Sequence, residues 1–358
     1  MSVLALFVAL LLEQLRPLHA RQHLHGALQA LRWRLQYALD AGTTGQAWVL
    51  WALAVCLPAV AVWLVFALLQ AGLGRFAALL WSVLVLYAVL RFRAFGPYFT
   101  QVRNAINTGD RQAAAQALER WRQALEGGWG HEAPAQRPSS AALHEAQEPA
   151  TQAQPAAPAT HSTAALLAAS VSYSVQHMHH YVFGVFAAYL LLAFAGLGPM
   201  GAVLFSLAQA AHGLWWRGAG RHDAPHGASM ALARVAQQGW QWINWLPARI
   251  TAGMFAAVGR YDEAISAWRA CTARRPGDGD ALVLAAGSAA LGLPERSVQW
   301  ILAWPHWQGR APSRILGGAA EGGDELAGLL HRLASLMWRT LVLWVLLWLV
   351  IGLIGAVL

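Results

Sequence analysis

The chain has 358 residues, of which 57% are hydrophobic and 12% are charged, whereas a soluble globular protein is roughly 45 to 50% apolar and about 25% charged. This composition argues against an ordinary soluble enzyme and indicates a chain that lies largely in lipid. The net charge is +8, but a basic excess beside long apolar runs is explained by membrane topology. We therefore expect no nucleic-acid partner.

Apolar segments long enough to cross a membrane define the predicted architecture. A spanning helix needs about 20 apolar residues. The pattern predicts spans at 47–69, 76–90 and 340–358, and a helical hairpin over 182–216 that turns at the Gly-Leu-Gly-Pro of 196–199. No segment shows the alternation of a strand. The sequence thus predicts an all-α, polytopic integral membrane protein with four to six membrane helices plus amphipathic interfacial and cytoplasmic helices.

Segment 2–12 is apolar but lacks a basic start and a small-residue cleavage site, so it is not typical of a signal peptide. A short span or a re-entrant segment fits it, and the sequence does not decide between them.

The distribution of arginine indicates on which side of the membrane each polar segment lies. All 25 basic residues are Arg. Arg75 lies in the tight turn between the first two predicted spans, and the other 24 lie in the polar regions at 13–46, 91–181 and 217–339. The positive-inside bias predicts a bacterial inner-membrane protein with cytoplasmic polar regions and a periplasmic C-terminus.

The polar segments divide the chain further. Leu24, Leu28, Leu31 and Leu35 recur at helical spacing within 20–41, which predicts an amphipathic helix at the inner leaflet. Segment 127–163 contains no Ile, Val or Phe and is predicted to be disordered. The predicted regions are 1–95 (amphipathic helix and two main spans), 96–126 (cytoplasmic helices), 127–163 (linker), 164–216 (membrane hairpin), 217–339 (cytoplasmic helices) and 340–358 (C-terminal span).

Several segments together carry a family resemblance. The stretch 244–249, Asn-Trp-Leu-Pro-Ala-Arg, resembles the Asn-x-x-Pro-Ala-Arg signature of the CobD/CbiB cobalamin-biosynthesis family. The segment 102–121, which reads Asn-Thr-Gly-Asp at 107–110 and continues into an Ala-rich helix, is similar to the family segment ahead of its Arg-Asp-Thr motif. The loop at 276–279 with the small-residue run at 285–292 resembles the family's Pro-Asn-Ala-Gly loop and following helix. A polar segment at 321–339 ahead of the terminal span completes the similarity.

This resemblance implies an inner-membrane adenosylcobinamide-phosphate synthase, a ligase that uses ATP and magnesium to join a corrinoid substrate to an aminopropanol phosphate. The chain departs from the family where acids are expected: 176–181 reads Gln-His-Met-His-His-Tyr and 209–212 reads Gln-Ala-Ala-His. The family's Arg-Asp-Thr motif is not found. These departures are similar to those of the AmpE branch, regulatory membrane proteins associated with β-lactamase induction. The alternative is therefore a non-enzymatic regulator that binds a membrane or cytoplasmic protein partner.

A polar cluster of histidines, His177, His179, His180 and His212, is predicted at the mouth of the hairpin. The imidazoles could converge on a metal ion or act as a pH switch. The alternative, that they are polar interface residues, is favoured because no Cys or carboxylate accompanies them. We therefore assign no metal site, and the sequence identifies no catalytic residue.

The ligand-binding candidates are Asn244, Arg249, Asp278 and Asp280. Arg249 can reach an anionic ligand or a phospholipid headgroup with Asn244 hydrogen-bonding beside it, or it can be a topology anchor. Asp278 and Asp280 can hold a cation, although a solvated turn is the more common outcome of Asp-Gly-Asp. Segment 259–276 also resembles half of a tetratricopeptide repeat. Because at least three repeats are needed for a stable array, a role as a helical hairpin that docks a protein is only a minor alternative.

Overall fold

A computed structural model describes residues 2–15, 34–38, 42–126, 163–216, 228–303 and 323–357, together with residues 32 and 40. Helices make up 89% of the structure, and the described residues contain no strand. The all-α prediction is confirmed for this part of the chain. Most of the predicted amphipathic helix at 20–41 and nearly all of the predicted linker at 127–163 lie outside the described residues.

The described residues form the following helices, numbered in chain order. They are α1 (Ser2–Leu15), α2 (Thr44–Gly72), α3 (Gly74–Val89), α4 (Phe92–Asn107), α5 (Arg111–Glu126), α6 (Thr163–Met178), a π-helical segment (His179–Phe183), α7 (Gly184–Phe194), α8 (Met200–Trp215), α9 (Met230–Val258), α10 (Tyr261–Arg274), α11 (Gly279–Ala290), α12 (Glu295–Ala303) and α13 (Gly323–Val357).

Among the described residues, three helices are long and apolar enough to cross a membrane, namely Thr44–Gly72, Leu166–Phe194 and Ala327–Val350. The first covers the predicted span at 47–69 and contains Pro58. The second is largely enclosed by the protein and joins α6, the π-helical segment and α7. This helix begins before the apolar run at 182–216, because 163–178 is rich in Ala, Ser and Leu and contains no Gly or Pro that would interrupt a helix.

The helical turn of the predicted hairpin is confirmed. Helices α7 and α8 pack against each other, and the turn between them uses Gly196 and Gly198 at φ values of 77° and 56°. These are left-handed conformations that glycine adopts without a steric penalty. Gly201 then allows a close approach, because a Cβ atom there would lie 2.1 Å from the backbone oxygen of Ala188.

Most of the other helices pack against one another and against the helices beside the hairpin. Residues 108–110 separate α4 from α5, and Asp110 Oδ1 accepts the Ala113 N–H at 2.8 Å, as expected of a helix cap. Helix α11 packs against α9, α10 and α6. Helix α13 packs against α4, α6 and α9 and also contacts α7, where Phe186 lies edge-on to Trp344 and Tyr189 stacks on Trp348. These contacts place α6, α7, α9 and α11 at the centre of the described structure.

We expect Gly201→Ala to lower the thermal unfolding midpoint of the detergent-purified protein by several degrees. The added methyl group must displace the Ala188 carbonyl, and overpacking of this kind costs about 1 to 3 kcal/mol. Gly213→Ala on the same helix is the control, because a Cβ atom at Gly213 meets nothing within 4 Å. Equal midpoints for the two variants would contradict the close hairpin packing.

Candidate functional site

Segments that are far apart in the sequence meet at one buried polar site. His179 and His180 come from the π-helical segment, Trp240, Asn244 and Thr251 from α9, and Asp280 from the first turn of α11. We call these six residues the Asp280 cluster. Two of the sequence-predicted ligand residues, Asn244 and Asp280, and two of the predicted histidines therefore lie together.

Asp280 is the centre of the cluster because three donors converge on its carboxylate. His180 Nε2 lies 3.0 Å from Oδ1, and Asn244 Nδ2 donates to the same oxygen at 2.9 Å. Trp240 Nε1 donates to Oδ2 at 2.9 Å. The side chain of His180 is 4% exposed and that of Asp280 is 22% exposed. Hydrogen bonds to an ionised carboxylate are among the stronger ones in proteins, so this arrangement stabilises a charged Asp280.

Asn244 extends the cluster to a second histidine. Since its amide nitrogen donates to Asp280, its Oδ1 is left to accept, and His179 Nε2 lies 2.8 Å away. His179 must then carry a proton on Nε2. The Thr251 hydroxyl, 3.1 Å from His179 Nδ1, completes the chain by donating to that nitrogen when the imidazole is neutral. The resulting order is Asp280, Asn244, His179 and Thr251.

Two glycines make this approach possible. A Cβ atom at Gly279 would lie 2.9 Å from Asn244 Nδ2 and from the Cβ atom of Ala248, so only glycine lets the start of α11 come this close to α9. A Cβ atom at Gly184 would lie 2.3 Å from the ring of Phe205 and 2.8 Å from the His179 carbonyl oxygen. Gly184 thus allows α8 to pack against the π-helical segment. Such segments are rare and often occur at functional sites.

His212 joins the cluster through an aromatic contact. Its ring stacks on the Trp240 indole with centroids 5.9 Å apart and an interplanar angle of 13°. His180 meets the same indole edge-on at 5.4 Å. Phe205 packs against both His179 and Trp240. The indole of Trp240 therefore holds two imidazoles in place while its N–H binds the carboxylate.

His177 belongs to a different site. Trp121 Nε1 donates to its Nδ1 at 3.3 Å, and its Nε2 lies 3.4 Å from the Arg91 carbonyl oxygen. Its ring also packs near Phe95. The three neighbouring histidines thus have different partners. No group of three or more His, Cys, Asp or Glu side chains in the described ranges could hold a metal ion.

The charge of Asp280 is matched by its neighbours. Burial alone would raise the pKa of this carboxyl group, but the neighbouring imidazoles of His180 and His179 and the hydrogen bond from His180 outweigh burial and hold the pKa below its usual range. The carboxylate is therefore ionised at neutral pH. Partial burial of the Arg249 guanidinium lowers its pKa.

The remaining two ligand candidates lie outside the cluster. Arg249 Nη1 donates to the Trp245 carbonyl oxygen at 2.9 Å, and its guanidinium carbon lies 4.0 Å from the centroid of the Trp245 ring. The structure does not place Arg249 beside Asn244. Asp278 caps α11, because its Oδ1 accepts the Ala281 N–H at 3.0 Å. The carboxylates of Asp278 and Asp280 therefore bond to different partners in the described structure.

Sequence reasoning missed Trp240 and Thr251 as members of the site. Trp240 is buried, unlike Trp242 and Trp245 on the same helix. A signal was available, since Trp240, Asn244 and Thr251 are spaced by four and seven residues and so share one helix face. Polar groups on the buried face of a helix are usually hydrogen-bonded, so this spacing points to partners on neighbouring helices.

Comparison with known proteins identifies no relative. No protein-family model, curated protein or solved structure matches this chain.

We expect Asp280→Asn to lower the thermal unfolding midpoint of the purified protein clearly. Asparagine keeps the shape but loses the charge, and its single oxygen cannot accept from all three donors, which costs about 1 to 3 kcal/mol. Asp278→Asn is the matched control, because asparagine caps a helix as well as aspartate does. If the two variants melt alike, Asp280 does not hold the cluster together.

Proposed function

We propose that this chain is a multi-pass bacterial inner-membrane protein of the CobD/CbiB type that acts as a non-enzymatic regulatory or partner-binding protein, as in the AmpE branch. Three long apolar helices support a membrane location. The distribution of arginine supports cytoplasmic polar regions and a periplasmic C-terminus. Four to six membrane helices result if shorter apolar helices such as Leu4–Glu13 and Gly74–Val89 also enter the bilayer.

The observation that carries this proposal is the internal pairing of the Asp280 cluster. Both oxygens of Asp280 and both polar atoms of Asn244 are hydrogen-bonded within the protein. An amide synthetase must instead direct carboxylates to Mg-ATP and fixed cations to a developing phosphate. Arg249, the cation in the segment that resembles the family signature, lies on Trp245 and not at the cluster. The site is thus built to hold helices together.

A second candidate is the synthase activity itself, with ATP and magnesium as cofactors and a corrinoid as substrate. It is favoured by one observation. The segments 176–181, 209–212 and 244–249, which resemble family motifs or lie where the chain departs from them, contribute to one region around Asp280, the residue that follows the family-like loop at 276–279. Asn244 and Asp280 would be the ligand-binding residues in that case. Both candidates share the fold and differ in whether this region turns over a substrate.

We expect the purified protein to form no adenosylcobinamide phosphate from adenosylcobyric acid, aminopropanol phosphate and Mg-ATP. An active family enzyme assayed in parallel shows that the reagents and the detergent permit turnover. Product from the wild-type chain and from Asp278→Asn, but not from Asp280→Asn, would contradict the regulatory proposal. That result would assign the synthase reaction to the Asp280 cluster.

A further inference from the structure

The face of α9 opposite the Asp280 cluster exposes large aromatic side chains beside a cation. Trp242 is 70% exposed and Trp245 is 48% exposed, and Leu246 is exposed next to them. The Arg249 guanidinium lies over the Trp245 ring. We call Trp242, Trp245, Leu246 and Arg249 the outer face of α9. Exposed tryptophan is costly in water, so this face requires a different environment.

The outer face continues into a candidate membrane helix. Trp48, in the second turn of α2, stacks on Trp242 with centroids 5.2 Å apart and an interplanar angle of 14°. One turn further, the ring of Trp51 fills the space that a Cβ atom at Gly239 would need. The start of α2 therefore lies against α9, with Trp48 adding to the aromatic surface.

The other end of α2 provides a measure of depth. The Phe66 ring packs against Gly198 in the turn of the α7–α8 hairpin. From Trp48 to Phe66 the helix rises about 27 Å at 1.5 Å per residue, close to the roughly 30 Å of a hydrocarbon core. When the hairpin turn lies at one membrane surface, the outer face lies at the other. Tryptophan is enriched at this headgroup level.

Arg249 supplies the polar half of a headgroup site. A guanidinium has five N–H donors, and the contact with Trp245 uses Nη1 to bond a backbone oxygen. The stacked ring holds the guanidinium plane in place, which prepares it for bidentate bonding to a phosphate. The tryptophan rings beside it suit the glycerol and upper acyl region of a lipid.

We propose that the outer face of α9 is a binding site for an anionic phospholipid, with Arg249 binding the headgroup phosphate and Trp242 and Trp245 contacting the lipid backbone. This site is independent of the proposed regulatory function and of the Asp280 cluster.

The test is native mass spectrometry of the full chain purified in detergent, titrated with phosphatidylglycerol or with phosphatidylcholine. We expect selective binding of phosphatidylglycerol, and Arg249→Gln should weaken it about five- to tenfold, as for the loss of one basic group at an anionic surface. Arg249→Lys should retain part of the affinity, and Trp245→Ala should lose most of it. Arg269→Gln, which removes an exposed arginine from α10, should bind like the wild type.

Three results would overturn the proposal. The first is equal binding of both lipids by the wild type, and the second is unchanged phosphatidylglycerol binding by Arg249→Gln and Trp245→Ala. The third is competition by millimolar glycerol phosphate, which would identify a soluble phosphate as the ligand. Arg249 and Trp245 are surface residues, so thermal unfolding of each variant near the wild-type midpoint verifies that the protein is folded.

Discussion

Asp280 brings a negative charge among apolar helices, and the described structure is arranged around the need to match that charge. Removing an ionised carboxylate from water costs several kcal/mol unless donors replace the lost hydration. Three donors do so here, and they come from two other parts of the chain. The hydrogen bond between the side chains of Asn244 and Asp280 thereby holds α9 and α11 close together. Gly279 is the residue that makes this distance sterically possible.

The same pairing organises the residues around it and separates two faces of α9. Asn244 donates to Asp280 and accepts from His179, so one amide group links these two residues. Aromatic rings pack around this polar centre on the buried face of α9. The opposite face exposes Trp245 with Arg249 resting on it. One face therefore serves the packing of helices inside the protein, while the other is available to the membrane surface. This division relates the fold to both proposals, since it assigns the internal network and the external cation to different tasks.

Composition and spacing were enough to predict the helical architecture and the hairpin turn, because both depend on local chemistry. Asn244 and Asp280 were also recognised as candidates, but their pairing with His180 was not, since it depends on the register of a π-helical segment and on a helix contact at Gly279. Arg249 shows a different failure. Five residues along a helix correspond to a rotation of about 140°, so Arg249 and Asn244 face different sides, and helical geometry alone would have separated them. The apolar run at 182–216 does not mark where this long helix begins, because α6 is less apolar than α7 and contains several serines.

A double-mutant cycle between Asp280 and His180 tests the central claim most directly. The free energies of unfolding of Asp280→Asn, His180→Phe and the double variant are compared with that of the wild type. We expect a coupling energy of about 1 to 3 kcal/mol, as found for groups in one buried hydrogen-bonded network. The corresponding cycle between Asp278 and His180 should show a coupling near zero. Additive effects of Asp280→Asn and His180→Phe would contradict the account, because the carboxylate would then not depend on this imidazole.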